Sequence, residues 1–112
     1  MIEDDAGILD AITIMLTHHD FDVDGYPDGL HLEARNFRKP HLFLVDCQLP
    51  KMSGLEICKY LKSTSDYSQV PLILMSAQTT FESACRDAGA VAFVNKPFVM
   101  KAFIELLNNQ LN

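Results

Sequence analysis

The sequence predicts an α/β chain, a parallel sheet covered on both faces by helices, from three observations. Short continuous apolar runs alternate with amphipathic stretches, the pattern of repeated βα units. Leu42 to Val45 and Leu72 to Met75 are apolar throughout, as strands buried on both faces must be. No linker or composition break interrupts the 112 residues, and a 48% hydrophobic content is enough for one packed core, so a single domain over 1–112 is expected.

Taken in order, the first strand has only Met1 and Ile2 before the acidic run Glu3, Asp4, Asp5. Two residues are short for a strand, and the natural chain is expected to extend upstream with further apolar residues. Ile8, Leu9, Ile12, Met15 and Leu16 recur at helical spacing. Phe21 and Val23 alternate with Asp20, Asp22 and Asp24, which suits a half-exposed edge strand. Leu30, Ala34 and Phe37 mark a weaker helix after Asp28. The run Leu42 to Val45 ends on Asp46, and Leu55, Cys58 and Leu61 mark a helix after Gly54. The run Leu72 to Met75 ends on Ser76. Phe81, Ala84, Cys85 and Ala88 form the next helical pattern, with Gly89 as its stop. Val91 to Val94 is rich in β-branched and aromatic residues and leads into Asn95, Lys96 and Pro97. Phe103, Leu106, Leu107 and Leu111 close the chain as a helix, giving roughly five strands and five helices.

Composition excludes several function classes. With 15 acidic against 9 basic residues the net charge is -6, which argues against direct binding to a nucleic-acid backbone. No apolar run approaches the roughly 20 residues of a membrane span, and no signal peptide is visible, so a soluble cytoplasmic chain without membrane contact is expected. Cys47, Cys58 and Cys85 form no C-x-x-C pair and read as reduced, buried thiols. His18, His19, His31 and His41 lack zinc-site spacing. Asp20-x-Asp22-x-Asp24-Gly25 copies the first half of an EF-hand loop, but His31 stands where its bidentate Glu belongs and Pro27 where a backbone amide is needed. Calcium binding is not expected.

In an open parallel sheet, residues ending separate strands converge at the carboxyl edge. Here those residues are Glu3 and Asp4, Asp46, Ser76 and Lys96: three carboxylates, a hydroxyl and an ammonium. Crowded carboxylates repel unless a cation neutralises them. Mg2+ suits a few carboxylates plus phosphate oxygens, because it prefers oxygen ligands and keeps several waters. Phosphoryl transfer needs its equatorial oxygens neutralised, and a metal, a lysine and a hydroxyl can divide them. Asp46 is then the carboxylate placed to be the nucleophile, forming an aspartyl phosphate.

Four stretches together carry a family resemblance: Ile2-Glu3-Asp4-Asp5; Leu42 to Asp46 with Leu49-Pro50-Lys51-Met52-Ser53-Gly54; Val70 to Ala77; and Phe93-Val94-Asn95-Lys96-Pro97-Phe98. On these the chain resembles the response-regulator receiver domains of two-component signal transduction over its whole length. The resemblance implies a flavodoxin-like doubly wound (βα)5 fold, with a five-stranded parallel sheet in the order 2-1-3-4-5. It implies Asp46 as phosphoacceptor, with Ser76 and Lys96 as the other catalytic groups. Glu3, Asp4, Asp46 and the backbone carbonyl of Gln48 would hold Mg2+, Asp4 more directly than Glu3, with Asp5 peripheral. Gln48, Ala77, Gln78 and Pro97 would neighbour the phosphoryl group, Ser76 and Phe93 would act as switch residues, and the Lys96-Pro97 bond would be cis. Ser76 for the commoner threonine, His41 for a frequent acid and Ser53 for another are mild departures that remove no catalytic group.

The implied partners are a histidine kinase or phosphotransfer protein and a downstream effector domain or protein. The implied output face runs roughly over Phe81 to Ala88, Phe93 and Val99 to Leu107, and it also offers a surface for a homodimer. Such a domain is a switch that catalyses only its own phosphorylation and dephosphorylation. Three alternatives fit less well. An aspartate-nucleophile phosphatase would want D-x-D where Asp46 is followed by Cys47 and Gln48, and a flavin module would want a Ser/Thr/Gly-rich loop where Glu3-Asp4-Asp5 stands. A degenerate receiver serving only as an interaction or dimerisation module would lack an acid or the lysine, and none is missing.

Overall fold

Three parallel strands, β1 (Phe43–Asp46), β2 (Leu72–Ser76) and β3 (Ala92–Asn95), lie side by side in that order in this computed structural model, which describes residues 1–28, 39–49 and 52–111. Phe43 pairs with Leu72 and Asp46 with Met75; Leu74 pairs with Phe93 and Ser76 with Asn95. Two further segments join as single bridges, Ile2 beside Val45 and Tyr26 beside Ile2. Across the sheet the order is therefore the Tyr26 segment, the Ile2 segment, β1, β2 and β3, which is the expected 2-1-3-4-5.

Strand alternation sorts the core into two layers. Phe43, Val45, Leu72 and Leu74 face α2 (Gly54–Ser63) and α3 (Glu82–Asp87), meeting Ile57, Cys58, Leu61 and Cys85. Leu44, Ile73 and Met75 face α1 (Ala6–His18) and α4 (Met100–Leu111), meeting Ile12, Leu16, Phe103 and Leu107. All of β1 and β2 is buried, which is why those runs carry no polar residue before their last position. Each buried aliphatic side chain there contributes about 1.5–3 kcal/mol.

Local chemistry sets the helix limits. The Asp5 carboxylate accepts the Ile8 N–H at 3.0 Å and caps α1, so the acid expected to be peripheral to the site is a helix cap. At the other end Asp20 adopts φ 67°, while the N–H groups of Asp20 and Phe21 donate to the carbonyls of Thr17 and Leu16, a Schellman stop. Ser53 caps α2 by accepting the Glu56 N–H at 3.2 Å. A 3-10 turn (Thr79–Phe81) precedes α3, and Gly89, at φ 102°, ends it with the same hydrogen-bond pattern, as its sequence position predicts.

The edge strand differs from expectation. Phe21 and Val23 form no ladder; the chain reaches the sheet at Tyr26, whose N–H donates to the Met1 carbonyl and whose carbonyl accepts the Glu3 N–H. Phe21 and Val23 instead lean on the α1/α4 layer of the core, so their alternation reports burial and not strand pairing. The expected helix containing Leu30, Ala34 and Phe37 lies outside the described residues. Among the described residues, no helix is long and apolar enough to cross a membrane.

Candidate functional site

The carboxyl edge of the sheet gathers four of the expected residues. Glu3 follows the Ile2 bridge, Asp46 is the last residue of β1, and Lys96 follows β3 directly. The Lys96 ammonium donates to Glu3 Oε2 at 2.9 Å and to Asp46 Oδ2 at 3.3 Å, joining residues 93 and 50 positions apart. Glu3 and Asp46 are buried, at 1% and 4% exposure, whereas Asp4 is exposed. One carboxylate oxygen from each of Glu3, Asp4 and Asp46 lies within 4.8 Å of the others.

Backbone amides order these acids. Asp46 Oδ1 accepts the Gln48 N–H at 3.2 Å, and Glu3 Oε1 accepts the Asp5 N–H at 3.3 Å. A carboxylate offers about four lone-pair positions, so each acid keeps acceptor capacity beyond these bonds. Burial pushes the Glu3 carboxyl above its ordinary range; the hydrogen bond from Lys96 opposes that shift and the neighbouring Asp46 charge adds to it. Burial alone would lower the Lys96 ammonium, but the bond to Glu3 and the Asp46 charge outweigh it and hold Lys96 above its ordinary value. Three acids against one lysine leave the cluster short of positive charge. Its all-oxygen donor set fits a hard divalent ion such as Mg2+.

Ser76 ends β2, fully buried, and its hydroxyl accepts the Gln78 N–H at 3.0 Å. The Lys96 N–H donates to the Ser76 carbonyl at 2.8 Å, which fixes the lysine's origin on the neighbouring strand. Gln48, Ala77, Gln78 and Pro97 are exposed around this edge, and the Lys96-Pro97 bond is cis, as expected. Phe93 is half-buried on β3, packs against the α2/α3 layer and borders an open surface groove with Phe98, Val99 and Phe103. Pro50 and Lys51 of the loop after Asp46 lie outside the described residues.

In the sequence Gly54 marks a helix start and closes one of the family-matching stretches; its contact with the site appears only in the structure. A Cβ there would sit 2.2 Å from the Asp46 carbonyl oxygen and 2.7 Å from Cys47 Cα, while the Gly54 N–H donates to the Cys47 carbonyl at 3.0 Å. Gly54 thus lets α2 press directly on the backbone that carries Asp46. Its position eight residues after a strand-ending acid was visible in the sequence; the contact was not.

Comparison with known proteins agrees with this geometry. A family model, the response regulator receiver domain, matches residues 1–108. The chain is 30% identical over 114 residues to the DNA-binding response regulator MtrA of Mycobacterium tuberculosis, covering 99% of this chain and 49% of that protein. It thus spans about half the length of that relative. It is 34% identical over 82 residues to the polar-differentiation response regulator DivK of Brucella anthropi, covering 71% of this chain and 67% of that one. Among solved structures it is similar to the BeF3-activated N-terminal receiver domain of Klebsiella pneumoniae RstA, with TM-score 0.88 and 28% identity over 99% of this chain and 95% of that one. A match across nearly the whole chain, on a parallel sheet whose carboxyl edge gathers acids and a lysine, has one reading: the chain belongs to the response regulator receiver domain family, the phosphoacceptor domains of two-component systems.

Proposed function

We propose that Asp46 is the phosphoacceptor, taking a phosphoryl group from the phosphohistidine of a histidine kinase or phosphotransfer protein. The observation that carries this reading is the Lys96 ammonium between two buried carboxylates, Glu3 and Asp46, at 2.9 and 3.3 Å. A carboxylate oxygen of Asp46 attacks phosphorus, the bond to the imidazole nitrogen breaks, and the imidazole leaves. Glu3, Asp4, Asp46 and the Gln48 carbonyl would hold Mg2+, which supplies charge neutralisation to the phosphoryl oxygens. Lys96 supplies a second positive charge, and the Ser76 hydroxyl, which has a proton to donate, takes a third oxygen. The domain thus promotes its own phosphorylation without turning over a separate substrate.

The new charge of about two units draws the Ser76 hydroxyl toward it. Phe93, three residues before Lys96, is half-buried beside an open surface groove and can repack as Ser76 moves. The output is then read on α3, β3 and α4 by an effector domain or protein, or by a second copy of the chain. Intact-mass measurement with Mg2+ and acetyl phosphate tests the reading. One phosphoryl adduct is expected, reduced at least about tenfold when EDTA removes the metal; equal adduct in EDTA contradicts it.

A further inference from the structure

Two of the three buried cysteines meet close to Asp46. Cys47 follows the acid directly and Cys85 lies on α3, and their sulfurs are 3.5 Å apart with both residues buried. Cys58 is committed elsewhere, its thiol donating to the Ala88 carbonyl at 3.4 Å. We propose that Cys47 and Cys85 form an oxidative modification site, a reversible disulfide that clamps α3 to the strand end bearing Asp46.

A disulfide bond is about 2 Å long, so the sulfurs must close by only part of their present separation. Both sulfurs are buried, which keeps them out of an oxidant's reach while the fold is closed. The way in is α3. It has six residues, no side-chain cap at its start, and Cys85 as its one buried residue. So short a helix owes its stability to packing, and local opening exposes Cys85 without unfolding the sheet. In the opened state the Cys85 thiol loses its proton and attacks a peroxide. The O–O bond breaks, the sulfur becomes a sulfenic acid, and the departing oxygen leaves as water after taking a proton. On closure the Cys47 sulfur attacks the sulfenic sulfur, losing its own proton and expelling the hydroxyl as a second water. The two thiols are oxidised and the peroxide is reduced, with a dithiol restoring both. Because Cys47 is adjacent to Asp46 and α3 belongs to the proposed output face, the clamp holds that face still; only this last consequence rests on the proposed function.

Peroxide treatment of the folded chain followed by denaturing alkylation, intact mass and peptide mapping tests the site without phosphorylation. Expected are the loss of two hydrogens, a Cys47–Cys85 cross-link reversed by dithiothreitol, an alkylated Cys58, and amide exchange over residues 82–88 slowed at least about tenfold. The cross-link should persist in Cys58→Ala. Recovery of Cys47 and Cys85 as free thiols or as separate sulfinic acids, or a cross-link through Cys58 or to a second chain, overturns the proposal. So does unchanged exchange over 82–88 in the cross-linked form.

Discussion

At the scale of single residues, two kinds of information separate. Asp46 and Ser76 were legible because each ends an apolar run, and Lys96 because it closely follows one; strand ends in a parallel sheet meet at one edge. The pairing of Lys96 with Glu3 was not legible, because nothing in a separation of 93 positions sets a hydrogen bond. Gly54 shows which effect wins when propensity and packing disagree. In a helix interior alanine is favoured over glycine by about 1 kcal/mol. Here the added Cβ meets backbone at 2.2 Å, and backbone cannot swing aside as a side chain can. Gly54→Ala is expected to lower stability by about 1–3 kcal/mol and, by displacing Asp46, to slow phosphorylation by about 100-fold. Urea unfolding and the rate of adduct formation measure the two effects; wild-type values in both would show that the contact relaxes freely.

At the scale of elements, long apolar runs and glycine stops were readable, and polar alternation was not. The residues from Asp20 to Asp24 alternate like a strand, yet only Phe21 and Val23 contact the core, and the ladder begins at Tyr26. Period-2 burial arises wherever an extended segment lies on a core, whether or not it pairs. The first acid of the same run has another use: Asp20 ends α1 in the left-handed region. Asp tolerates that region, but glycine occupies it without the Cβ penalty. Asp20→Gly is therefore expected to raise stability by about 0.5–1 kcal/mol, and Asp20→Val to lower it by at least as much. Thermal unfolding of the two variants decides this; equal shifts would remove the strain argument.

For the whole molecule, the core and the site pull on pH dependence in the same direction. Burial raises the Cys47, Cys58 and Cys85 thiols above their ordinary value of 9.0, and the neighbouring acids outweigh burial to raise Lys96 above 10.5. Each group keeps its proton in the fold after the unfolded chain has lost it. The thiols' contribution is full below about pH 9 and that of Lys96 below about pH 10.5; each falls as pH rises toward the folded value, by about 1.4 kcal/mol per pH unit for each such group. The urea midpoint should drop from about pH 8 to about pH 10, less steeply in Cys58→Ala; a flat midpoint contradicts the burial argument. The fold, the core layers and the strand-end chemistry all serve one claim, that Asp46 receives the phosphoryl group. Borohydride reduction of the adduct formed with acetyl phosphate and Mg2+, followed by peptide mapping, tests it most directly. The account predicts a single modified residue at Asp46 and no adduct in Asp46→Asn; modification at any other acid, or an adduct that survives Asp46→Asn, would contradict it.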